Sequence, residues 1–172
     1  MFCCMSPDKE KEPTRLTDDQ KRIIQQVWSE VRHQIDEVGV ETFLRFFNTH
    51  PEAMDSFLVF KNMEVVDLET NVQLKEHALK VTSVVDKCVA RINDPKSFET
   101  ICRDQGINHA GRIVTDEFQR SLRDKYIEAI KARTSVAWSA EHQEAWETFF
   151  NIMQRDMMNS MRHMNALRDR KE

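Results

Sequence analysis

The scarcity of helix breakers is what most constrains this chain: among 172 residues there are four prolines, at positions 7, 13, 51 and 95, and three glycines. Proline removes an N–H from the i to i−4 ladder and collides with the preceding turn, so the long stretches without it are where uninterrupted helix is permitted. Along those stretches apolar residues recur three and four apart, the period of a helix and not the alternation of a strand. The fold class is therefore all-α. A chain of this length buries about 70% of the surface its unfolded form exposes, enough for one domain with a real core. Residues 1–15, with Pro7, Pro13, charges and no helical period, read as a disordered arm. Residues 16–161 read as the helical domain and 162–172 as a charged tail that frays.

Charge and cysteine usage narrow the partners. The net charge is −4, and no basic stripe interleaved with aromatics is present to follow a phosphate backbone, so nucleic acid is not expected. No apolar run approaches the ~20 residues of a bilayer span, and the N-terminus lacks the apolar core of a secretory signal, which places the protein in the cytoplasm. The four cysteines, at 3, 4, 88 and 102, form neither a CxxC pair nor another zinc spacing. Cys88 and Cys102 fall on neighbouring predicted helices; a bridge between them is open, and buried free thiols are the preferred reading. Cys3 and Cys4 are candidate palmitoylation sites and the one expected route to membrane contact, since Phe2 stands where N-myristoylation needs glycine.

Thr17, with Gln20 three residues on, is a capping box that opens the first helix, and Ile24, Val27, Trp28, Val31 and Ile35 form its apolar stripe. A break is expected near Val38 and Gly39, followed by a second helix with Val40, Phe43, Leu44 and Phe47 inward. Pro51 suits the first turn of a short helix ending at Phe57, because its missing N–H would be unpaired there anyway. After a corner over 61–66, the pattern predicts a long helix from about Asp67 to Ile92, closed by Asn93-Asp94-Pro95. A short helix over Ser97–Gln105 is expected to stop at Gly106. Thr115 caps the next helix, in which Phe118, Leu122, Tyr126, Ile127 and Ile130 keep the period. The last helix begins after Ser139, with Ala145, Trp146, Phe149, Phe150, Met153, Met157 and Met161 inward, the methionines as adaptable core lining.

One residue interrupts the apolar pattern. His77 sits in the stripe made by Leu74, Ala78, Val81, Val84 and Val85, and a buried imidazole is costly unless it finds a hydrogen bond, a metal or an exposed edge. On a helix His77, Lys80 and Val81 share a face, which presents an imidazole, a long cation and a branched apolar wall. A satisfied core histidine and a ligand-facing histidine are both open from the pattern alone.

Phe43, Phe46-Phe47, His50-Pro51-Glu52, Phe57 and Phe60 stand in an order and spacing that resembles the second and third helices of globins and the corner after them. Ala145-Trp146-x-x-Phe149-Phe150 in the last helix, and two histidines in order on successive helices, extend the resemblance over residues 16–161. It implies a globin fold, helices packed around haem b (iron protoporphyrin IX). It implies further that His109, in His109-Ala110-Gly111-Arg112-Ile113-Val114, is the proximal iron ligand. By the same resemblance Phe57 packs flat on the ring, Phe43 roofs the distal side, Val81 and Val114 touch the haem, and Arg112 reaches a propionate. Lys80 either does the same or is a snorkelling surface residue. The segment before the ligand, Arg103-Asp104-Gln105-Gly106, departs from the family, which usually carries an apolar residue four positions upstream; a more polar proximal wall is expected.

With His109 in the fifth iron site, the resemblance puts His77 at the sixth, either hydrogen-bonding a bound gas or ligating the iron itself. Lys80 beside His77 is similar to the pattern of neuroglobin-like hexacoordinate globins. The function implied is reversible binding of dioxygen and other diatomic gases, for transport, storage or sensing. The alternative is redox chemistry on nitric oxide, nitrite or peroxide, or electron transfer, at the same iron. That would need a separate reductase or electron partner, because the chain has no flavin or nicotinamide domain. A binding protein and not an enzyme is expected; a haem-free helical interaction module is a third reading.

Overall fold

Local caps choose where the helices begin. Thr17 accepts from the Gln20 backbone N–H while the Gln20 side chain returns to Thr17, opening α1 (Asp18–Val31). Asn71 does the same for Leu74 at the head of α4 (Val72–Ala90), Asp94 for Ser97 at α5 (Pro95–His109), and Thr115 for Phe118 at α6 (Asp116–Lys131). The computed structural model describes residues 14–57, 60 and 63–170, which leaves Cys3 and Cys4 outside. Those residues also hold α2 (Ile35–Thr49), α3 (Val65–Leu68), α7 (Ala140–Asp169) and 3₁₀ turns at Arg32–Gln34 and Pro51–Ser56, with no strand among them. No described helix is long and apolar enough to cross a membrane.

Several boundaries differ from expectation, each for a physical reason. The break between α1 and α2 falls at Arg32–Gln34, while Val38 and Gly39 are buried inside α2. The expected helix over 67–92 is two helices, because the Asn71 side chain takes up the Leu74 N–H and starts α4 afresh. Gly106 does not end α5, which continues to His109. Helix α7 runs through the expected tail to Asp169.

Both helical glycines mark places where two backbones meet. A Cβ on Gly39 would lie 2.5 Å from Thr82 Oγ1 and 2.9 Å from the Ala78 carbonyl oxygen, so α2 crosses α4 at that point. A Cβ on Gly106 would collide with the Met157 carbonyl and lie 2.7 Å from Ser160 Cβ, so α5 crosses α7 there. Glycine costs a helix about 1 kcal/mol relative to alanine, and here the close approach it permits offsets that cost.

Around these crossings the core divides in two. Trp28 and Trp146, with ring centroids 6.0 Å apart, anchor one part together with Phe149 and Phe150. Phe43, Phe46, Phe47, Phe60 and Leu74 form the other. Polar ties hold the periphery: Trp28 Nε1 donates to Asp86 at 2.9 Å and Arg32 at 2.7 Å joins it, linking α1 to α4. Glu41 of α2 receives both Arg45 and Arg133, and although burial raises its carboxyl, the two guanidiniums outweigh that and hold it below the usual range.

Because the Gly106 crossing has no room for a methyl group, Gly106→Ala is expected to cost about 2 kcal/mol by overpacking, whereas Asn108→Ala on the exposed side of the same helix stays within about 0.5 kcal/mol. Urea unfolding midpoints of the two variants check this; equal midpoints would show that the helices slide apart at little cost.

Candidate functional site

The crossing at Gly39 builds one wall. Phe43 follows Gly39 by one helical turn on α2, and His77 and Val81 precede Ala78 and Thr82 on α4, so the contact that joins the helices also aligns these three side chains. The His77 ring lies edge-on to Phe43 and Phe57, with centroids 5.0 Å and 5.2 Å away. Burial pushes its pKa down to about 4, helped by the charges of His109, Arg112 and Lys80, and no hydrogen bond acts on it. His77 is thus a neutral imidazole with no side-chain hydrogen bond among the described residues.

The crossing at Gly106 builds the facing wall. His109, three residues on, is the last residue of α5, and its Nδ1 lies 2.7 Å from the Gln105 carbonyl oxygen. A carbonyl only accepts, so Nδ1 carries a proton and Nε2 is the nitrogen left to a ligand. This is the arrangement in which a histidine is oriented and made more basic for a metal. Gln105, which stands where an apolar residue was expected, supplies that carbonyl from its backbone and lines the site with its side chain.

Between the walls is a cleft of about 1180 Å³ including its open mouth. His77, His109, Phe43, Phe57, Val81, Arg112 and Val114 all line it. Lys80 is exposed and does not; it acts on His77 through its charge alone. Arg112 is exposed at the mouth, next to Ile113, whose carbonyl receives the Ser56 hydroxyl at 3.4 Å. Helix α6 contributes Phe118, Leu122 and Tyr126, which recur every four residues and read from sequence as a core stripe. Cys102 also reaches the cleft, with its sulfur 3.9 Å from that of Cys88. Both thiols are free and buried, and the contact with Cys88 together with burial raises the Cys102 pKa, which keeps the thiol protonated and unreactive.

The residues fit a planar metal macrocycle. The lining is mostly apolar with a few polar groups converging on it, the character of a small-molecule site. Among the described residues no three potential ligands gather as a bare ion would require. Two imidazoles from different helices, lining one cleft, would instead hold the iron of a haem, with aromatic and branched side chains against the macrocycle and Arg112 for its carboxylates.

Comparison with known proteins agrees. A family model described as Globin matches residues 40–157. Cytoglobin-1 of Danio rerio is 28% identical over 144 residues, 82% of this chain and 83% of its own length. Among solved structures, a hemoglobin from the botfly Gasterophilus intestinalis superposes with a TM-score of 0.78 at 23% identity, covering 85% of this chain and 99% of that one. A hexacoordinated heme protein from an anhydrobiotic tardigrade superposes with a TM-score of 0.79 at 17% identity, covering 87% and 97%. The family is one of haem proteins that bind diatomic gases at the iron. With a family match over well more than half its length and two imidazoles lining one cleft, the chain belongs to the globin family.

Proposed function

We propose that this globin binds dioxygen reversibly on haem b, which His109 would hold and which His77 would face as a second ligand to the iron. The observation that supports this reading is that two imidazoles from different helices line one largely apolar cleft, His109 with its Nδ1 bonded to the Gln105 carbonyl and His77 held neutral by burial. Haem, when bound, supplies a ferrous iron that takes up small gases. The protein supplies the rest. The Gln105 carbonyl holds the His109 Nδ1 proton and aims Nε2 at the cleft. Phe43, Phe57 and Val81 keep the distal side apolar, which excludes water and favours release of the gas over oxidation of the iron.

His77 stays neutral throughout the physiological range and so offers a lone pair to iron and an N–H to a bound gas. Its neutrality favours direct ligation, because only an unprotonated imidazole nitrogen has a lone pair to give to iron. A tardigrade protein of the same fold is itself hexacoordinated. The chain acts as a binding protein rather than an enzyme, in the cytoplasm, and any redox turnover at its iron would depend on a separate electron donor.

Absorption spectra of haemin-reconstituted protein test the proposal. The gas-free ferrous form is expected to show a sharp low-spin pair of visible bands, and His77→Leu to replace it with one broad high-spin band and to speed carbon monoxide binding by about tenfold or more. A broad band already present in the unaltered protein would remove His77 from the iron. Absence of a Soret band would favour the haem-free reading, and steady nitric oxide consumption with a reductase would favour catalysis.

The low pKa of His77 makes a second expectation. Between its ordinary value of 6.5 and about 4, the unfolded chain takes up a proton that the folded pocket refuses. Stability of the haem-free protein is therefore complete above about pH 6.5 and falls as pH drops through that window, by up to about 3 kcal/mol. His77→Leu removes this part of the slope. Urea midpoints of both proteins from about pH 7 to about pH 4.5 check it; parallel pH profiles would show that His77 is more solvated than its position implies.

A further inference from the structure

The last turns of α7 return to the two residues that follow His109. The Gly111 N–H donates to Asn165 Oδ1 at 2.8 Å, and Arg168 Nη1 donates to the Ala110 carbonyl at 2.9 Å. Gly111 has φ of +81°, and a Cβ there would lie 2.5 Å from Arg168 Nη1, so the guanidinium rests on the open side of the glycine. Beneath them Ala110 packs on Met158 and Met161. Helix α5 ends poorly by its own means: the Ala110 N–H reaches back only to Ile107, at 3.3 Å, and a helix end leaves its final carbonyls unpaired. A guanidinium on the C-terminal carbonyl supplies the missing donor and a positive charge at the negative end of the helix dipole.

The Gly111 bond is not needed to satisfy the backbone, since Gly111 is exposed and water can serve it, and a single bond to the Ala110 carbonyl contributes only about 1 kcal/mol, so their contribution to overall stability is small. What they add is direction, because they fix the path of the chain one and two residues beyond the proximal histidine. Gln105 orients the His109 ring from the preceding turn; Asn165 and Arg168 hold the turn's exit.

We infer that Asn165 and Arg168 are positioning residues for the proximal imidazole, so that the segment expected to fray is the part of the fold that sets how firmly and at what angle His109 holds the haem. This rests on the reading of His109 as the iron ligand. The test uses the full chain reconstituted with haemin, as Asn165→Ala/Arg168→Ala, Arg168→Ala, Arg168→Lys and, as a control at the same helix end, Arg170→Ala. Readouts are haem transfer to an excess of a haem-scavenging protein, the electron paramagnetic resonance of the ferric form, and amide exchange at Gly111 in the haem-free protein.

The double variant should lose haem about tenfold faster and shift the ferric g-values, with faster exchange at Gly111 and a nearly unchanged melting temperature. Arg168→Lys, which keeps a donor, should recover most of the loss, and Arg170→Ala should match the unaltered protein. Faster exchange at Gly111 with unchanged haem loss and unchanged g-values would overturn the inference while leaving His109 as ligand. Failure of the unaltered protein to take up haemin would remove both.

Discussion

Everything in the site depends on two places where helix backbones touch. At Gly39 and at Gly106 the partner helix's carbonyl comes too close for even a single Cβ, so the helices lock in register rather than sliding on a cushion of long flexible groups. Each lock lies within about one turn of a residue that faces the cleft, Phe43 in one case and His109 in the other. The width of the cleft is therefore set by backbone geometry. A long side chain repacks around a small cavity, but a carbonyl held in a helix has nowhere to go, which is why a single methyl group at either glycine would be felt across the pocket.

Within that frame the polar groups are distributed unevenly. At the periphery they are paired: Glu41 with two arginines, Asp86 with Trp28 and Arg32, and Glu30 with Thr134 and Ser135. Among the described residues the buried side-chain polar atoms left without a partner are the Tyr126 hydroxyl, which lines the cleft, and the Trp146 Nε1 in the core. The two half-buried imidazoles differ from the peripheral groups in another way: His77 is held neutral by burial, and His109 has its Nδ1 committed to the Gln105 carbonyl.

The sequence shows some of this and hides the rest. The helical class is visible because it is a property of neighbours along the chain, and His77 is visible because it breaks a stripe. His109 has no such signature: it ends a polar stretch, Arg103-Asp104-Gln105, and only likeness to globins singles it out. Gly106 reads as a helix stop because the local cost of glycine is written in the sequence while the Met157 backbone it accommodates is not. Asn71 is an N-cap whose effect depends on a single side-chain rotamer, and it is easily lost among the charged residues around it. Phe118, Leu122 and Tyr126 form a legible stripe, yet nothing in its period distinguishes a face that meets other side chains from one that meets a cavity.

The hydrogen bonds from Asn165 and Arg168 also carry information about time. They join residues 54 and 58 positions apart, whereas the bond from His109 to Gln105 spans four. During synthesis His109 and its tautomer-fixing carbonyl exist well before the side chains that tie down the turn after them, and non-local contacts of this length close late in folding. A growing chain thus has the cleft-facing histidine before the turn beyond it is fixed. Settling that turn is left to the finished helix α7, a built-in order in which the pocket is shaped first and fastened last.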